Sequence, residues 1–149
     1  MITVVLDTNT VASAIFWPNS TARRCLAGLA RRHYGIAVSS SVFKEYKAVA
    51  AELQPRFPAC NSDGALAWLR LKAGWFEPAP LGKPRSRDPK DDPFLACALA
   101  ARAKYLVTRD NDLLVLGKPF GIEMIPPAGF LAWLRRSAVA AGESHPPAV

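Results

Sequence analysis

Ile2-Thr3-Val4-Val5-Leu6-Asp7-Thr8-Asn9 is the stretch on which the fold turns. Residues 2–6 form a near-continuous, β-branched apolar run, the pattern of a strand buried on both faces. Asp7, Thr8 and Asn9 end that run and offer side-chain acceptors to a helix expected over 8–16, which Trp17-Pro18-Asn19 then breaks. The same grammar recurs at Tyr105-Leu106-Val107-Thr108, closed by Arg109-Asp110-Asn111-Asp112.

Between these runs the chain alternates. Ser20 caps a helix with Cys25, Leu26, Leu29 and Ala30 on one side and Arg23, Arg24, Arg31 and Arg32 on the opposite half. Residues 35–38 read as a strand, and Ser39 to Ser41 cap a helix through about Leu53 that contains Glu45. Asn61 caps a helix to Ala73, followed by a short aromatic strand at 75–77. Residues 81–90, with Gly82, two prolines, Lys83, Arg85, Arg87 and Lys90, read as an exposed basic loop. Asp91-Asp92-Pro93 opens a helix through Ala103 that is apolar nearly all round. Residues 122–125 add a strand and 127–136 a closing helix, leaving 137–149 as a flexible tail. Short buried strands alternating with helices predict a single α/β domain over 1–136, a mostly parallel central sheet with helices on both faces.

Composition limits the function classes. A chain of 149 residues, half of them hydrophobic, is one domain's worth and not a disordered segment. Its three cysteines, Cys25, Cys60 and Cys97, are isolated and it has only two histidines, which excludes a Cys/His zinc cluster and fits a reducing compartment. No secretory signal is visible, and the longest apolar stretch, 93–101, is too short to span a bilayer. A cytoplasmic location without a membrane partner is the expectation. Lys and Arg number 19 against 12 acids, a net charge of +7, which suits a polyanionic partner and equally a diffusely basic surface.

In a parallel sheet, ligands bind outside the carboxyl ends of the strands. Asp7, Asp110 and Asp112 follow two such ends, and Asp92 begins a helix on the same rim. Each acid also has a bland reading: Asp7 and Asp92 as helix caps, Asp110 and Asp112 as turn residues, Glu45 as part of a solvated helix face. Their convergence favours a divalent-cation site, because clustered carboxylates repel unless neutralised. Oxygen-only donors favour Mg2+ or Mn2+, ions that act on phosphodiesters.

Leu6-Asp7-Thr8-Asn9, Ser39 to Tyr46 with Glu45, Asp88 to Ala96, and Leu106 to Leu114, in that order, closely resemble the PIN domain family. They look most like bacterial toxin components of toxin–antitoxin pairs, similar to the VapC group. The resemblance implies a metal-dependent endoribonuclease with Mg2+ or Mn2+, whose catalytic acids are Asp7, Glu45, Asp92 and Asp110. It implies Asp7, Asp92, Asp110 and Asp112 as metal ligands, and Asn9 and Thr108 as supporting polar residues. Asp91 adjoins Asp92, and a one-residue change in the helix start exchanges the two; Asp92 is the expected ligand. Arg23, Arg24, Arg31, Lys83, Arg85, Arg87, Lys90 and Arg109 are candidate RNA contacts, and Trp17, in the loop after the first helix, a candidate for base stacking. A cognate antitoxin and a homodimer are implied partners. The competing reading is a non-catalytic PIN-like module that binds RNA or protein. An aspartyl-phosphate enzyme is disfavoured by Asn9 where a second acid is needed, and a dinucleotide site by the lack of G-x-G-x-x-G after the first strand.

Overall fold

The opening run forms strand β1 (Thr3–Leu6), and in the computed structural model, which describes residues 1–142, it is the middle strand of a five-stranded sheet. The others are β2 (Gly35–Val38), β3 (Gly74–Trp75), β4 (Tyr105–Val107) and β5 (Glu123–Ile125), in the order β3-β2-β1-β4-β5. Every adjacent pair is parallel. Val4, Val5, Leu6, Ala37, Val38, Leu106 and Val107 are fully buried, as two-sided coverage requires.

Parallel neighbours need crossovers, and helices provide them. Helices α1 (Thr8–Phe16) and α2 (Thr21–Ala30) join β1 to β2, and α3 (Ser40–Leu53) and α4 (Ser62–Lys72) join β2 to β3. Helix α5 (Asp92–Ala101) precedes β4, α6 (Asn111–Leu114) precedes β5, and α7 (Pro127–Ala140) follows it. Helix α2 packs on α1 and α7, and α3 on α1, α4 and α5. The approach of α2 to α7 is close enough that a Cβ on Gly28 would stand 3.2 Å from Leu134 and 3.3 Å from Tyr34. Two buried phenols are satisfied by backbone: Tyr34 donates to the Cys25 carbonyl at 2.8 Å and Tyr46 to that of Leu6.

From β1 the chain moves outward through β2 and β3, then returns to the other side of β1 for β4 and β5. The strand order therefore reverses between β1 and β4, the position where open α/β sheets hold ligands. Leu6 is in register with Val107, so Asp7 and Thr108 leave the sheet side by side.

Several boundaries differ from the sequence expectation. Helix α7 continues to Ala140, so residues 137–140 are not tail: Ala138 is buried and extends the apolar face. Residues 143–149, the rest of the expected tail, lie outside the described residues. Helix α5 stops at Ala101 rather than Ala103 because Arg102 turns into the left-handed region, at φ 52°. The strand expected at 75–77 is Gly74–Trp75. Among the described residues no helix is long and apolar enough to cross a membrane.

Candidate metal centre and nucleic-acid rim

Asp7 begins where β1 ends. One carboxylate oxygen accepts the Thr8 backbone N–H at 2.8 Å and caps α1; the other accepts the Thr108 hydroxyl at 2.8 Å. Its own N–H donates to the Val107 carbonyl at 2.9 Å, which locks it to the end of β4. Thr108 is fully buried, and while it donates to Asp7 its Oγ1 accepts the Asp110 backbone N–H at 2.9 Å. One hydroxyl thus ties together two acids that are far apart in sequence. Burial pushes the Asp7 carboxyl above its ordinary range, the Thr108 and Thr8 bonds oppose this, and the charges of Asp110 and Glu45 add to it. Asp7 is therefore a helix cap through one oxygen, while the other is directed to Thr108.

Glu45, half-buried on α3, accepts the Thr8 hydroxyl at 2.5 Å, so it faces the rim rather than bulk solvent. Asp110 caps α6 by accepting the Asp112 N–H at 2.9 Å, and the expected turn is in fact this short helix. Asn9 is exposed on α1 and bonds none of these carboxylates.

The order of Asp91 and Asp92 is the reverse of the expectation. A 3₁₀ turn over Pro89–Asp91 precedes α5, and it rotates Asp91 inward and Asp92 away. Asp92 accepts the backbone N–H groups of Arg85, at 3.2 Å, and Ser86, at 2.9 Å, and so anchors the preceding loop. Asp91, only 6% exposed, makes no capping bond and accepts the Ser86 hydroxyl at 2.9 Å. One carboxylate oxygen from each of Asp91, Asp110 and Asp112 lies within 4.8 Å of the others. Burial, together with the charges of Asp110, Asp7 and Asp88, raises the Asp91 carboxyl to about 6 in spite of the Ser86 bond. Clustered oxygen-only donors whose charges repel are what a hard divalent cation would neutralise, so the residues fit such an ion.

The candidate basic contacts divide in two. Arg23 donates from Nε to the Ala14 carbonyl at 2.5 Å and from Nη2 to that of Ile15, closing the end of α1. Arg85 donates twice to the Leu81 carbonyl, at 3.1 and 2.8 Å, and lies 4.8 Å over the Phe120 ring. Arg24 is half-buried, with its Nε out of contact with solvent. Arg23 and Arg85 are thus engaged with backbone carbonyls of the protein itself. Arg31, Lys83, Lys90 and Arg109 are exposed, and Arg87 pairs with Asp112. Arg109 shares a groove with Ser13, Asn19 and Trp17; Trp17 is 46% exposed and its ring rests edge-on against Phe57. Arg109, the one basic residue lining that groove, is the sequence neighbour of Thr108 and Asp110.

A family model described as PIN domain matches residues 3–112. No curated protein matches the chain. Among solved structures the chain is similar to VapBC2 from Rickettsia felis bound to a DNA fragment from their promoter, at 17% identity and a TM-score of 0.61, covering 84% of this chain and 98% of that one. It is also similar to PAE2754 from Pyrobaculum aerophilum, at 16% identity and a TM-score of 0.55, covering 83% and 84%.

Proposed function

The chain belongs to the PIN domain family, and from that premise we propose that it is a divalent-metal-dependent endoribonuclease, the toxin of a toxin–antitoxin pair. The observation that carries the reading is the convergence of Asp91, Asp110 and Asp112 beside Asp7 at the reversal of the strand order. Asp91, Asp110 and Asp112 would hold the ion, Mg2+ or Mn2+. When bound, such an ion activates water at neutral pH and offsets charge building on a phosphate under attack.

The remaining steps fall to the protein. Thr108 fixes Asp7 and Asp110 relative to each other, so the carboxylates need little reorganisation when substrate arrives. Glu45, oriented through Oε2 by Thr8, has Oε1 available to take a proton from the attacking water. Arg31, Lys83, Lys90 and Arg109 bind the RNA backbone, which gives salt-dependent affinity with little sequence preference. An antitoxin that covers the rim, and a homodimer, belong to the same proposal; the likeness to the VapBC2 structure supports the first.

Incubation of the chain with RNA in Mg2+ or Mn2+, then in EDTA, tests the reading, with Asp7→Asn as the control. Cleavage is expected only with the metal and only in the unaltered chain. Cutting that survives EDTA or the substitution overturns it.

A further inference from the structure

Arg87 is 81% exposed, yet its Nε and Nη2 both donate to one oxygen of Asp112, at 3.2 and 2.9 Å. The segment around it is fastened down. Arg85 is held to Leu81 and Phe120, the N–H groups of Arg85 and Ser86 are held by Asp92, and the Ser86 hydroxyl is held by Asp91. The backbone that carries Arg87 is therefore fixed at the edge of the acid cluster while its guanidinium stands in solvent.

A guanidinium on one acid of a three-acid cluster does in part what a metal ion does: it offsets their repulsion. It does so weakly. Exposed ion pairs contribute little and are screened by salt. Both donors also meet a single oxygen instead of forking across two, which falls short of the strongest arginine–carboxylate geometry. A divalent cation held by three carboxylates at once outcompetes such a contact and repels the guanidinium. A phosphate offers two oxygens to the same fork.

Resting on the nuclease reading above, we propose that Arg87 is an exchangeable ligand. It occupies Asp112 in the metal-free protein, leaves when a divalent cation takes the cluster, and then binds a phosphate of the RNA lying across the rim. Metal loading and substrate binding are thereby coupled through one side chain, because the cation that takes the carboxylate frees the group that grips the phosphate.

The test compares the full chain with Arg87→Gln, with folding checked by circular dichroism. Mn2+ binding is followed by calorimetry at low salt. RNA affinity is measured as a function of salt in a Glu45→Gln background, with and without Mn2+. Arg87→Gln is expected to bind Mn2+ roughly two- to fivefold more tightly, the worth of an exposed ion pair. With Mn2+ present, it should reduce the slope of log affinity against log salt by about 0.7, the loss of one phosphate contact on a single strand. Without Mn2+ the two slopes should coincide. Mn2+ affinity that is unchanged or weakened, or equal salt slopes with metal present, overturns the exchange. If neither chain binds Mn2+, the nuclease reading falls with it; normal Mn2+ binding that ignores residue 87 removes only this inference.

Discussion

Asp91→Asn separates what Asp91 does for the cluster from what it does for the fold. The carboxyl is buried, caps nothing, and titrates at about 6 against 3.8 for an isolated Asp. Between those two values the folded chain keeps a proton that the unfolded chain has released. Stability therefore falls as pH rises, by about 1.4 kcal/mol per pH unit. The interval is about two units, so the loss reaches at most about 3 kcal/mol and levels off above about pH 6. Asn keeps an acceptor for the Ser86 hydroxyl without the charge. In EDTA at about pH 8 the variant should thus be more stable than the unaltered chain by about 2–3 kcal/mol, or roughly 5–10 °C in Tm for a chain of this length. At about pH 4 the two should melt together. Asp92→Asn has the opposite sign, because it weakens the acceptor of two backbone N–H groups and should cost about 1 kcal/mol. Melts followed by circular dichroism across this pH range, with and without Mn2+, check all of it. Mn2+ should raise the Tm of the unaltered chain and leave that of Asp91→Asn in place. A variant less stable than the parent in EDTA at about pH 8 would refute the placement of Asp91 as a charged group among repelling acids.

Mn2+ affinity itself should rise as pH increases through about 6, where Asp91 loses its proton, and a flat profile over that interval would count against Asp91 as a ligand. Thr108→Val keeps shape but strips Asp7 of a donor and Asp110 of its N–H acceptor; denaturant titration should show a loss of about 2–3 kcal/mol, and cleavage should fall at least about tenfold. Arg23→Ala should lose about 1 kcal/mol of stability with RNA affinity unchanged, whereas a substrate contact would show the reverse. Trp17→Ala should weaken RNA binding roughly 5- to 100-fold if a base stacks on its open face, with Trp17→Phe retaining most of the affinity.

The strands were legible because their burial is two-sided: a run such as Val4-Val5-Leu6 has no exposed position to obscure it. From the strands followed the parallel sheet, the carboxyl-end rim and the positions of Asp7 and Asp110. Caps at Ser20, Ser39 and Asn61 were also legible, since short polar side chains before an apolar helix have few other uses. The exchange of Asp91 for Asp92 was not. It depends on a single 3₁₀ turn over Pro89–Asp91, and Asp-Asp-Pro satisfies the rules for a helix start in either frame. The roles of Arg23 and Arg85 were hidden for a different reason. Helical periodicity shows which half of a helix is basic, but not that an arginine stem is long enough to reach back to the carbonyls that end another element. The extension of α7 over 137–140 rests on contacts made by Ala138, a residue type too small to mark a face by itself.

The register of Leu6 with Val107 has a consequence in time as well as in space. Asp7 is synthesised close to a hundred residues before its partner Thr108 and the acids Asp91, Asp110 and Asp112. Domains fold as units as the chain is synthesised from its N-terminus. Until β4 has emerged and paired with β1, the early carboxylate has no neighbours with which to share a cation. Under the proposed function, the acid cluster on this seam would be completed only once β4 has joined β1, at the same stage as the folded surface around it.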